Sequence, residues 1–156
     1  MSVATFEDIL ARDRILVFKT RGVSMEPMLR QNRDLVIIQV PSSRLRRFDV
    51  ALYKRGTKYV LHRVIGVCAD HYLIRGDNTY VVETVPDDAV IGVLTGFQRK
   101  GRHVSGDNRG YRLYVRFWDA IYPVRRTGFR FLRLILRIAR KLGVLPLIKK
   151  LLGKNT

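Results

Sequence analysis

The chain has 156 residues, about one domain's worth: enough to bury a core and too few for two ordinary ones. At 47% hydrophobic and 28% charged it is neither disordered nor fibrous, while a formal net charge of +17 calls for an anionic partner, nucleic acid or a lipid surface. The single cysteine, Cys68, excludes an internal disulfide and leaves a dithiol redox site or a cysteine-based zinc site without ligands; no metal or other cofactor is expected.

In chain order, Thr5-Phe-Glu-Asp8 has the form of a capping box with Asp in the Glu/Gln place and opens a short helix to about Arg12. The acidic Glu7, Asp8 and Asp13 stand where a secretory signal would need an apolar run, so no signal peptide is expected. Six strands are predicted next, at 15–19, 35–40, 50–54, 59–67, 72–75 and 90–97. Each is short, rich in Val, Ile, Leu or Tyr, and bounded by Gly, Pro, Asn or Asp. Cys68 reads as a small buried residue on one of them. Arg55-Gly-Thr-Lys58 reads as a hairpin turn. Strands at this spacing, with no helical period between them, predict a mainly β, twisted antiparallel and partly closed sheet. From about Tyr111 the pattern becomes helical, with breaks near Pro123 and Pro146, giving two expected parts: residues 1–110 and a basic amphipathic helical tail, 111–156.

Three segments of the β part carry chemistry. Arg21-Gly-Val-Ser-Met-Glu-Pro-Met28 is a strand-to-loop turn that can expose the Ser24 hydroxyl beside backbone N–H groups, which suits a nucleophile next to an oxyanion hole. Tyr59-Val-Leu-His-Arg-Val-Ile-Gly66 is an apolar strand with one imidazole, His62. Ile74-Arg-Gly-Asp-Asn78 runs a strand into a turn carrying Asp77. Taken singly, each has an ordinary structural explanation: a turn serine, a core histidine, an Asx turn. Together they are a candidate Ser, His and Asp set.

The order of the segments adds to this. Gly-Val-Ser24-Met-Glu-Pro-Met-Leu, Asp34-Leu-Val-Ile, Arg47-Phe-Asp-Val50, Val60-Leu-His62-Arg-Val-Ile-Gly66, Arg75-Gly-Asp77-Asn and Val90-Ile-Gly-Val closely resemble the type I signal peptidase family over about residues 20–97. That fold is shared by the LexA-type self-cleaving repressors. The resemblance implies a serine endopeptidase domain over residues 1–110 in which Ser24 attacks the scissile carbonyl. It also implies the Ser-His branch, found in the endoplasmic reticulum and archaea, because His62 stands where bacterial housekeeping enzymes have lysine. Imidazole is already poised near neutrality, whereas a lysine base needs a large desolvation to be lowered. Imidazole does need a carboxylate partner. Asp77 is the favoured acid, and Glu83, where eukaryotic-type relatives carry a second Asp, is the other. Gly22 and Met25 flank Ser24 as candidates for substrate and oxyanion contacts; Gly22 replaces a serine of many lysine-type relatives. Lys58, four residues before His62, shares its strand face by alternation.

Signal peptidases normally carry a spanning helix, but no stretch here approaches the ~18 uncharged residues that one needs. The charge lies elsewhere: residues 1–98 hold 14 basic and 11 acidic side chains, residues 99–156 hold 16 basic and two acidic, Asp107 and Asp119. At about 100° per residue, Arg130, Arg133, Arg137, Arg140 and Lys141 fall in one arc of about 100°, and nine apolar residues from Phe129 to Leu142 fill the rest. This is the pattern of a helix lying in a membrane interface, with Val144 to Leu152 as a second piece. A phosphate-tracking surface does not need so wide an apolar face, so an anionic membrane is favoured over nucleic acid. The expected protein is therefore a peripheral membrane enzyme, at the cytoplasmic face, that cleaves a precursor or leader peptide. The alternatives are a non-catalytic binding module on the same fold and a self-cleaving regulator. The latter needs a lysine base and a DNA-binding segment for which residues 1–20 are too short.

Overall fold

The computed structural model describes residues 4–141. The chain forms two compact units, one up to Arg116 and one from Phe117. In the first, helix α1 (Phe6–Asp13) is closed at its start by the expected capping box: the Thr5 hydroxyl accepts from the Asp8 N–H, and the Asp8 carboxylate accepts from the Thr5 N–H. Eight strands follow: β1 (Ile15–Lys19), β2 (Leu35–Gln39), β3 (Val50–Arg55), β4 (Lys58–Val67), β5 (His71–Arg75), β6 (Glu83–Pro86), β7 (Val90–Arg99) and β8 (Arg102–Ser105). All pairings are antiparallel, in the order β1-β2-β7-β3-β4-β5-β6, with β8 on β7. The fold is thus mainly antiparallel β, as the spacing of the strands predicts. The sheet bends through register shifts in the β2/β7, β3/β7 and β4/β5 ladders but stays open, with β1 and β6 as its ends.

Strand β3 is central, and the period of two decides where its side chains go. Val50 and Leu52 join one core with Leu10, Leu16, Met25, Met28, Leu29, Val36, Ile38, Leu94 and Phe97. Ala51 and Tyr53 join a second with Leu45, Val64, Tyr72, Ile74 and Val85. Both faces of β3 are covered, which is why it reads as a continuous apolar run. The β3–β4 hairpin turns through Gly56, whose φ of 60° lies in the left-handed region, and pairs Arg55 with Lys58 and Ala51 with His62. Glu7 of α1 clamps this hairpin by bonding to Lys54 Nζ at 2.9 Å and to the Tyr59 hydroxyl.

Cys68 is not on a strand; it is half-buried just past β4, where its N–H donates to the His71 carbonyl across the turn to β5. Helix α2 (Arg109–Ala120) starts two residues before the expected change of period at Tyr111, and Val115 is its buried residue. Helix α3 (Tyr122–Lys141) carries Pro123 in its first turn, where the missing N–H costs nothing. No helix among the described residues is long and apolar enough to cross a membrane. The side chain of Arg140 and the segment from Val144 to Leu152 lie outside the described residues.

Candidate active site

The loop after β1 holds Ser24, and the core holds the loop. Met25, Met28 and Leu29 are buried, and the Leu29 N–H donates to the Met25 carbonyl at 2.9 Å, so the segment after Ser24 is anchored from within. Gly22 takes a φ of 84°, a left-handed turn that a side chain would strain, and its N–H donates to Gln31 Oε1 at 2.9 Å. The Asn32 N–H donates to the Thr20 carbonyl and closes the base of the loop. Beneath it, buried Asp34 accepts from the Arg30 N–H at 3.0 Å and from Arg33 at 2.6 and 2.7 Å. Burial raises the Asp34 pKa, but these donors more than offset it, and the carboxyl is held below its ordinary value.

The Gly76-Asp77-Asn78 turn bolts onto the same loop. The Asn78 N–H donates to the Ser24 carbonyl at 2.7 Å, and the Asn78 side-chain amide donates to the Val23 carbonyl at 3.2 Å. A Cβ on Gly76 would sit 2.7 Å from the Ser24 carbonyl oxygen and 3.0 Å from His62 Nε2. The glycine is thus required for close approach, and it marks the point where the serine loop and the imidazole edge converge.

His62 is 6% exposed, on β4 opposite Ala51 of β3. Its Nδ1 faces Glu83 Oε1 at 3.3 Å and the Tyr53 hydroxyl at 3.3 Å. Glu83 in turn accepts from Arg55 Nη1 at 3.0 Å. Burial pushes the His62 pKa below its ordinary value; Glu83 opposes this and the Arg55 charge assists it. Burial, then Glu83, push the Tyr53 phenol up, so it stays protonated and can donate.

Asp77 stands elsewhere. Its carboxylate takes a bidentate pair from Arg63, Nε to Oδ1 and Nη2 to Oδ2 both at 2.7 Å, with each side chain 4% exposed. Arg63 also donates to the Phe48 carbonyl, the Tyr111 hydroxyl and Met28 Sδ. Burial disfavours the guanidinium charge, but Asp77 outweighs it and the Arg63 pKa is raised. The carboxylate brought to Nδ1 is therefore Glu83 rather than the favoured Asp77. The reason is alternation: His62 and Arg63 are successive residues of β4, so their side chains leave opposite faces and meet different acids.

Ser24, His62, Glu83, Gly22, Met25 and Lys58 line one cleft of about 1140 Å³, whose walls also include Phe18, Leu52, Tyr59 and Leu61. Met25 contributes its side chain to the core. Among the described residues the backbone N–H groups of Ser24 and Met25 have no intrachain acceptor, while that of Gly22 is taken by Gln31. Such free donors beside a hydroxyl can receive an oxyanion. The sequence reading missed Tyr53 and Arg55, although the signal was present. A two-residue turn fixes hairpin register, so pairing Arg55 with Lys58 puts Ala51 opposite His62 and Tyr53 diagonal to it on the same face. Comparison of the chain with protein-family models and with curated proteins gave no match.

Proposed function

We propose that this protein is a serine endopeptidase that cleaves a precursor or leader peptide through a Ser24 acyl-enzyme. The observation that carries the reading is the convergence at Gly76: the Ser24 backbone and His62 Nε2 meet within 3.0 Å of one point, and a carboxylate stands at the other ring nitrogen. The resemblance of residues 20–97 to type I signal peptidases supports the same chemistry.

In the proposed reaction His62 Nε2 takes the Ser24 hydroxyl proton as Oγ attacks the scissile carbonyl. The Ser24 N–H, with that of Met25, stabilises the oxyanion. The tetrahedral intermediate collapses as the imidazolium returns its proton to the leaving amine. Water, deprotonated by the same nitrogen, then hydrolyses the ester and frees Ser24. Glu83 holds the tautomer with the proton on Nδ1 and stabilises the imidazolium, and Tyr53 fixes the ring. Burial of His62 keeps it neutral, as a base must be before attack.

One observation favours the alternative of a binding module: among the described residues no hydrogen bond joins Ser24 Oγ to His62. Catalytic hydrogen bonds often tighten only when substrate arrives, so the test has to be chemical. A fluorophosphonate probe is expected to label the wild-type chain at Ser24, and to label neither Ser24→Ala nor His62→Ala while both remain folded by circular dichroism. Failure to label the wild type overturns the reading.

A further inference from the structure

Helix α3 raises a question separate from the peptidase site. Its 20 residues include seven cations and no acid, and as a helix they span about 30 Å. At about 100° per residue Arg126, Arg130, Arg133, Arg137 and Lys141 share one arc of about 80°. Val124, Phe131, Leu132, Leu134, Ile135 and Ile138 occupy the others, and all six are exposed, Val124 at 75% and Phe131 at 63%. An apolar face of this width is costly to leave in water. The Arg133 guanidinium lies over the Phe129 ring at 5.0 Å, so a cation and an apolar ring meet at the border between the faces.

We propose that α3 lies in the plane of an anionic lipid bilayer, apolar side in the acyl boundary and arginine row at the phosphates. Three features select this occupant. The helix has no acidic residue that would be repelled by, or pair away from, an anionic surface. Five of its seven cations form one row along the helix, with no acid among them, instead of the alternating signs of a helix that meets another helix. It also has no uncharged span long enough to cross. A segregated face, many arginines and low net hydrophobicity are the properties of an interfacial helix. The structure adds Arg126 and Val124 to the arrangement legible in the sequence, which extends it to the first turns of the helix.

The experiment uses the full chain carrying Ser24→Ala, so that the outcome is independent of peptidase activity. It is sedimented with vesicles of phosphatidylglycerol and phosphatidylcholine, and with vesicles of phosphatidylcholine alone. Binding is expected to the anionic vesicles, at least ten-fold weaker to the neutral ones, and weakened by salt. Arg130→Gln, Arg133→Gln and Arg137→Gln together are expected to reduce the affinity by about a hundred-fold, each charge near the surface being worth about a factor of five. Phe131→Ser with Ile135→Ser is expected to abolish binding while circular dichroism stays helical. No partition into anionic vesicles overturns the proposal, as does equal binding to neutral ones. So does binding that survives the apolar substitutions, or self-association that those substitutions abolish in the absence of vesicle binding.

Discussion

Two neighbouring residues of β4 each meet a carboxylate, and the two pairs differ in almost every physical respect. Arg63 and Asp77 are each 4% exposed and joined by two bonds of 2.7 Å, with three further acceptors around the guanidinium. The His62 and Glu83 side chains are 8% and 19% exposed, 3.3 Å apart, and open onto a cleft. The first pair is closed, with both side chains buried. The second is loose, and its cationic half is neutral at rest. Two charges shut away with their hydrogen bonds satisfied hold a loop in place, while an imidazole proposed to gain and lose a proton needs access to substrate. The Gly-Asp-Asn turn thus supports the site from behind: Asp77 fixes the turn whose Gly76 and Asn78 touch the serine loop.

This division can be broken by measurement. Removing Arg63 takes the bidentate pair from the buried Asp77 carboxylate, so Arg63→Ala is expected to cost about 3–5 kcal/mol, a thousand-fold or so in the folding equilibrium. Chemical denaturation reads this, and a loss below 1 kcal/mol would put the pair outside the framework. Gly76→Ala drives a methyl to 2.7 Å from the Ser24 carbonyl, and the resulting shift is expected to slow probe labelling by about a hundred-fold. Glu83→Gln is expected to slow it by a comparable or smaller factor, about ten- to a hundred-fold, with the folding equilibrium nearly unchanged. The reverse pattern, stability lost and labelling kept, would exchange the roles of the two acids.

Smaller effects sharpen the comparison through pH. Burial lowers the His62 pKa, so the acid limb of labelling is expected below the ordinary histidine value. Glu83 raises that pKa and Arg55 lowers it, hence Glu83→Gln should move the limb to lower pH and Arg55→Gln to higher pH. Stability follows the same sign. Below the ordinary histidine value the unfolded chain takes up the proton first, so the fold loses stability as pH falls until the depressed folded value is reached. Replacing Tyr53 by Phe removes one contact to Nδ1 and is expected to cost only a few-fold in rate.

Much of this was legible in the chain. The capping box, the six apolar strands and the hairpin turn follow from local periodicity and turn chemistry, and they recur at nearly the expected residues. Strands β6 and β8 were not legible. Each has four residues, Glu-Thr-Val-Pro and Arg-His-Val-Ser, with one valine as its only β-branched aliphatic position, and each is a strand because β5 or β7 supplies its hydrogen bonds. Such strands exist by pairing rather than by propensity.

The site divides in the same way. The serine turn, the strand histidine and the Gly-Asp-Asn box were visible as segments, because each is built from residues within a few positions of one another. Which acid faces His62 was not, because Asp77 and Glu83 are separated from it by a strand, a bulge and a turn, and only the packed ladders decide the distances. The concentration of charge in the last third was equally plain from the sequence. By itself, then, the sequence determined the elements, the chemical groups and the sign of the charge, all of which are local or additive. The tertiary structure decided which carboxylate is buried against Arg63 and which faces the imidazole, because partner choice depends on contacts between residues far apart in the chain.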